Sequence, residues 1–332
     1  MLHILNKTPF QVDLCPIADA DGYDRLLVFL SVSCELEKGN WHVSEPQMNT
    51  PLTDIFWDPD NPSSIRYPAQ LALHKPATDV IINGTATAPG DTPVTTLAVS
   101  VELASQRVQL QVFGERVWYR EAPSSAQPFT SLPLRWEHAY GGTEYVDDVE
   151  HRYDANPLGR GWRPDSFSAA DYHGCLMPGI EWPEAPLRSP KDRVRPAGFG
   201  ALPAHHPERA SLSGRYDTPW LQQQAPFVPL DFDPRYFNSA IPELQFPGYL
   251  TGNESVRLKG FTRSGSEVLH LPGMAPSGAV RTMDRTLPLA FTLQTLVIET
   301  DTMTVRLFWQ AHVPILRTLA EIDEITVHLR KH

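Results

Sequence analysis

Cysteine is scarce in this chain. Cys15, Cys34 and Cys175 are the only three in 332 residues. They are too few and too scattered for a disulfide framework or a thiolate metal knot, and they read as structural thiols in a reducing compartment. Long apolar runs are missing too. The longest purely aliphatic and aromatic stretch is Leu26 to Leu30, far short of the ~20 residues a membrane helix needs. The opening MLHILNKTPFQVD meets polar positions before the apolar region of a signal peptide can develop. A cytoplasmic protein without membrane association is therefore expected. Positive charge is thin as well. Lys and Arg number 28 against 39 Asp and Glu, a formal net charge of −11, and only six of the basic residues are lysines. Never more than two Lys or Arg stand together, so no patch exists to neutralise a phosphate backbone, and nucleic acid is not expected as a partner.

Proline, by contrast, is abundant. Of 32 prolines, 18 fall between Pro123 and Pro247. Each removes a backbone donor and fixes φ, so this stretch cannot be mostly helix or central strand. It also carries Trp136, Trp162, Trp182 and Trp220. So much ring surface points to an ordered, irregular wrap laid over a core rather than to a disordered linker.

The flanks read as strands. RLLVFLSVSCELE (Arg25 to Glu37) meets a turn at Gly39-Asn40 and continues into WHVSEP, a hairpin pattern. DVIINGTAT (Asp79 to Thr87) is a strand containing a glycine, followed by a turn at Pro89-Gly90-Asp91. In RVQLQV, from Arg107, valine, leucine and valine share one face while arginine and glutamines share the other, as in a half-buried antiparallel strand. SVRLKGF, EVLHL, TLVIET, TVRLFWQA and EITVHLR repeat the style towards the C-terminus, and helix-period stretches are hard to find. DVIINGTATAPGD and SVRLKGFTRSGSE echo one another, which either an ancestral duplication or shared β-propensity with glycine kinks explains. The expected fold is mainly β and sandwich-like: two packed antiparallel β-units, residues 1–122 and 248–332, bridged by the proline-rich wrap over residues 123–247 within one compact entity.

The search for chemistry yields little. Among twelve histidines there is no HExxH, and His205-His206 would point to opposite faces of a strand. His74, His138 and Asp79 form the least poor set of metal ligands, and no metal or other cofactor is expected. There is no GxSxG; Cys175, with His173 two residues before it, is a weak thiol pair. NPLGRG (Asn156 to Gly161) has neither the lysine nor the preceding strand of a phosphate loop. It reads as an Asn-Pro turn holding Arg160, whose guanidinium is expected to fork onto a buried carboxylate, Glu137 first and Glu181 second. Carboxylates crowd Glu137, Glu144, Asp147, Asp148 and Glu150. A hydrolase using Glu137 with Asp165 or Asp171 on a glycan or peptidoglycan is the alternative to a non-enzymatic role. In HKPATD, Lys75 or His74 is expected to pin a turn that Asp79 caps. Its functional version places that turn at a partner's surface.

Several stretches taken together resemble a known family. They are HKPATDVIINGTATAP, GERVW, PLRWEHAYGG, NPLGRG, PGIE, PAGFG, YDTPW and PLDFDPRYF, and in order and spacing they are similar to the bacterial domain-of-unknown-function family 2169 from the N-terminus to about Thr302. The resemblance implies a protein encoded in type VI secretion gene clusters. It implies an adaptor or chaperone that binds an effector, often one bearing a PAAR-like domain, in the cytoplasm and helps load it onto the spike protein. No catalytic or cofactor residue comes with it. The residues that transfer are signature only: His74, Lys75, Pro76, Thr78 and Asp79; Trp118; Trp136, Glu137, Gly141 and Gly142; Asn156, Pro157, Gly159, Arg160 and Gly161; and Glu181. Where family members often read LPNIE, this chain has Met177-Pro178-Gly179-Ile180-Glu181.

Overall fold

The computed structural model describes residues 2–119, 121–315 and 318–330. Two sheets dominate. The larger has seven strands and runs in the order Gln245–Pro247, Ala77–Asn83, Thr292–Glu299, Thr304–Pro314, Asp24–Glu37, Gln11–Ala18, with Asn40–Val43 also pairing the long strand Asp24–Glu37. The second runs Ile180–Glu181, Gln106–Phe113, Thr96–Leu103, Ser255–Lys259, Ser266–His270. A smaller four-stranded sheet joins the two ends of the chain, with His3–Asn6 parallel to Ile322–Leu329. The mainly β, sandwich-like reading therefore describes the molecule. The sheets are not the two ends of the sequence, however: each dominant sheet draws strands from both sides of the proline-rich stretch.

Alternation explains how the long strand is used. Leu26, Val28, Leu30, Val32 and Cys34 face the main apolar cluster, together with Ile81, Leu296, Leu307, Val99, Leu110 and Leu258. The intervening Ser31 and Ser33 are buried as well, under residues 47–50. That second face of the sheet is closed by polar contacts: Gln310 Nε2 donates to Ala72 O, and Asn83 Nδ2 to Arg66 O. Ala77–Asn83 lies between Gln245–Pro247 and the parallel Thr292–Glu299 and is buried at every position, so its DVII run needs no polar alternate. In the second sheet Val108, Leu110 and Val112 are buried as their spacing predicts.

The proline-rich stretch is an ordered wrap. Its helices are two short ones, Pro207–Ala210 and Thr218–Gln223, and a few 3-10 turns. Ala197, Phe199, Ala201 and Leu202 pass into the main core. Trp118, Tyr140, Tyr172, Met177 and Leu187 form a second, separate aromatic cluster, with Tyr153 and Trp162 packed against it.

Candidate functional site

The sequence-predicted residues divide among three places. The first lies inside the seven-stranded sheet. Asp79 accepts hydrogen bonds from Ser239 N (2.9 Å), Ala240 N (3.2 Å), Asn238 Nδ2 (2.9 Å), Ser239 Oγ (3.2 Å) and Lys75 Nζ (3.2 Å). Lys75 also reaches Thr295 Oγ1 at 3.0 Å, and Thr78 Oγ1 bonds Leu293 O at 2.6 Å. Asp79 thus caps backbone N–H groups as expected, but those of residues 239–240. Lys75 is 1% exposed and Asp79 0%, so neither charge reaches the surface. Burial pushes the Lys75 ammonium down, against the pull of Asp79. His74 alone of the motif stands exposed and Pro76 is half-buried.

The second place is the crossing of WEHAYGG and NPLGRG. Asn156 ties it: its Nδ2 donates to Trp136 O (2.8 Å) and Tyr140 O (3.0 Å), while its carbonyl accepts from Gly142 N and Gly159 N. Tyr140-Gly141 pairs in parallel with Arg160-Gly161, and Pro157 O accepts from Thr143 Oγ1. Gly141 has φ +148°, and a Cβ there would lie 2.1 Å from Asn156 O. The glycines are what permit two chains to cross this closely.

The expected Arg160 pair does not form. Glu181 is instead bound by Arg116, whose Nη2 lies 2.5 Å from Oε1 and 2.9 Å from Pro178 O, with Leu187 N adding a bond to Oε2. Arg116 and Glu181 are both buried, beside the fully buried Trp118. The GERVW motif, not NPLGRG, supplies the inner guanidinium. Glu137 is engaged elsewhere: its carboxylate accepts Ser64 N at 2.7 Å and Ser64 Oγ at 2.8 Å. Arg160 has no carboxylate within ion-pair distance among the described residues. The other carboxylates weighed for hydrolysis are also occupied, Asp165 by Arg193 and Asp171 by the Ser168 cap. No three His, Cys, Asp or Glu side chains among the described residues are grouped as a metal would require, and His205-His206 lies in a turn that starts a helix rather than in a strand.

The third place is the one the Glu137 bond creates. By holding Ser64, Glu137 fastens the loop of residues 56–65 beside Trp136 and opens a groove of about 570 Å³ between that loop, Ala155–Leu158 and Ala201–His205. The loop keeps its shape through Asp58, which accepts from Asp60 N, Asn61 N and Asn61 Nδ2. At its base Trp57 is held between the guanidinium groups of Arg66 and Arg135, 4.5 and 4.0 Å from the ring. Trp136, Ile65 and Leu202 give the groove buried apolar surface. Phe56, Pro59, Pro62, Pro157, Leu158 and Pro203 line it further, with Asp58, Asp60, Arg152 and His205 as its charged or titratable groups. Sequence reasoning missed the 56–65 loop. DPDNPS (Asp58 to Ser63) is legible as turn chemistry, but no local pattern announces that its end is held by a glutamate 73 residues away.

The arrangement offers an apolar binding surface and fastened polar groups. No curated protein and no solved structure is similar enough to match. A family model does match, over residues 21–310, under the description "Uncharacterized protein conserved in bacteria (DUF2169)". Covering most of the chain, that match places this protein in the uncharacterised bacterial family its motifs resemble.

Proposed function

We propose that this protein is a non-enzymatic docking adaptor, which holds a segment of a partner protein in the groove beside Trp136. The observation that carries the reading is the groove itself: open, mostly apolar, and walled on two sides by the family-like segments. Its prolines and its self-bonded loop are already ordered, so binding loses little conformational entropy there. Exposed apolar residues at the mouth, Phe56 at 46% among them, would be covered by a partner. Asp58 and Asp60 on the loop, within a chain of net charge −11, favour an apolar segment that carries a basic residue. With the family resemblance, the partner is a type VI secretion effector, possessing in some cases a PAAR-like domain, bound in the cytoplasm and passed to the spike protein.

The test is co-expression with the effector encoded beside this gene, followed by affinity capture and size-exclusion chromatography. A stoichiometric complex that is lost in Phe56→Asp and Leu158→Asp variants of native thermal stability is expected. Capture that survives both variants removes the groove from the interface. If no neighbouring effector or spike protein binds, and the chain instead turns over a glycan or peptidoglycan with loss on Glu137→Gln, a hydrolase replaces the adaptor.

A further inference from the structure

Residues 143–152 form a ribbon with no neighbouring strand. Thr143–Val146 and Val149–Arg152 pair antiparallel with each other alone, across a two-residue turn at Asp147-Asp148 where φ is +50° and +62°. Such a turn makes its flanking pair, Val146 and Val149, a hydrogen-bonded one. Bonded pairs recur at Glu144 with His151 and then at Gly142 with Tyr153, where Tyr153 N donates to Gly142 O. By alternation the N–H and C=O groups of Glu150 and Arg152 point away from the ribbon. Both residues are exposed, and among the described residues no strand pairs with this edge. In the seven- and four-stranded sheets the edge strands Gln11–Ala18, Gln245–Pro247 and Thr286–Leu289 each contain a proline, which discourages strand addition; Val149–Arg152 contains none. Tyr145 on one face is 67% exposed and Val149 on the other 56%.

We propose that the Val149–Arg152 edge docks an extended, basic segment of a partner protein, which joins the ribbon as a third strand. Backbone bonds to Glu150 and Arg152 hold the segment, and a two-stranded ribbon gains stability from a third strand. Charge selects the side chains. Between Thr143 and Asp154 five carboxylates accompany one arginine. Arg152 already has Asp154 at 3.4 Å, and Glu144 has Arg163 at 3.6 Å, so Asp147, Asp148 and Glu150 set the local charge. Glu150 Oε2 accepts the Tyr145 hydroxyl at 2.9 Å, which fixes that carboxylate on its face of the ribbon. A Lys or Arg directly opposite Glu150 makes a favourable cross-strand pair, and an apolar neighbour turned to the other face lies against Val149. The segment that fits therefore alternates basic and apolar residues. Arg152 also borders the groove beside Trp136, so the edge ends at the groove's rim. The inference does not rest on the groove reading, since backbone pairing along the ribbon is tested without filling the groove.

The experiment is an NMR titration of the full chain with a short blocked peptide of alternating lysine and valine. The expected result is saturable movement of the Glu150 and Arg152 amides together with slower hydrogen exchange at both. With lysines opposite Glu150 and Arg152, the lysine N–H groups face the ribbon. N-methylation of the lysine amides should therefore weaken binding by at least about tenfold, and N-methylation of the valine amides should not. Glu150→Lys should weaken binding by at least about tenfold while leaving the thermal transition in place. Asp147→Asn with Asp148→Asn, which keeps residues suited to positive φ in the turn, should weaken it about threefold and serves if Glu150→Lys disturbs the ribbon. Phe56→Asp, in the groove, should leave peptide binding unchanged, so failure at the edge and failure of the groove reading are told apart. Ribbon amides that do not move, equal binding by both methylated peptides, full binding in the charge variants, or binding lost in Phe56→Asp would each overturn the proposal.

Discussion

Two regions of this molecule receive charge in opposite ways. Around Asp79, inside the seven-stranded sheet, five donors converge on one carboxylate, and the cation among them, Lys75, is itself fully buried and bonded to Thr295. Around Arg160, in the glycine-crossed part of the wrap, a half-buried guanidinium has a buried Nε without a hydrogen-bond partner and no carboxylate within ion-pair distance among the described residues. Both residues sit in motifs that read alike on paper, a charge within a short segment that contains proline or glycine. The difference teaches that prominence in a sequence does not separate a structural charge from an available one. Satisfaction does: a buried group whose bonding capacity is filled is a fastening, and one whose capacity is open can bind something else.

The comparison is broken most forcefully at Asp79. Asp79→Ala removes the carboxylate that compensates the buried Lys75 and orphans two backbone N–H groups, so a loss of roughly 3 to 5 kcal/mol is expected, read as a fall in the urea midpoint. Adding Lys75→Met should recover part of that loss but not all of it, because the N–H groups of residues 239 and 240 remain without an acceptor. An Asp79→Ala protein as stable as the parent would mean that the convergence seen here contributes nothing.

How much of this was legible in the sequence follows the same division. The strands could be read because period-2 alternation is a local signal, and RVQLQV places its valines and leucine as that signal says. The Asp79 cap could be read in kind, since an aspartate after a proline turn seeks backbone donors. Its true partners, near residue 239, could not, because they come from 160 residues further along the chain. Nor could the choice of carboxylate for each arginine. Arg116 and Arg160 are both near glycine and both within reach of glutamates on paper, and only the antiparallel pairing of Gln111 with Glu181 brings that carboxylate to Arg116. The groove escaped for the same reason: its walls come from three segments that meet at Trp136-Glu137 through Ser64, Asn156 and Ala201.

A second, smaller effect tests a group between the two regions. His206 is buried at the start of Pro207–Ala210, where its Nδ1 accepts from Glu208 N at 3.3 Å. Burial, with Arg195, His205 and Arg209 nearby, holds its pKa down to about 4. Protonation would charge a buried ring and remove the accepting lone pair. In the unfolded chain the ring takes its proton near its ordinary value of 6.5. As pH falls below that value the unfolded state therefore binds a proton that the folded state refuses. Stability is fully present above 6.5 and drains away until the folded ring also titrates, by roughly 3 kcal/mol in all. His206→Asn, which keeps a capping acceptor but cannot titrate there, should flatten that part of the pH profile. An unchanged slope between pH 7 and pH 4, about the two ends of the window, would place the acid sensitivity elsewhere.

The smallest effect is the one that most sharpens the comparison. If Arg160 were held by an inner carboxylate, its removal would strand that carboxylate and destabilise the fold by roughly 3 to 5 kcal/mol, as for Asp79. Glu181 has Arg116 and Leu187 as donors, and Glu137 has Ser64, so neither loses a partner when Arg160 goes. What disappears is a desolvated charge whose Nε has nothing to bond. Arg160→Gln keeps most of the side-chain stem and removes that charge. It should therefore change stability by no more than about 0.5 kcal/mol, or raise it slightly. Chemical denaturation of Arg160→Gln beside Arg116→Gln separates the cases. Only the second variant should lose stability, because it alone leaves the buried Glu181 carboxylate without its cation; equal losses would mean that Arg160 is as much a fastening as Arg116.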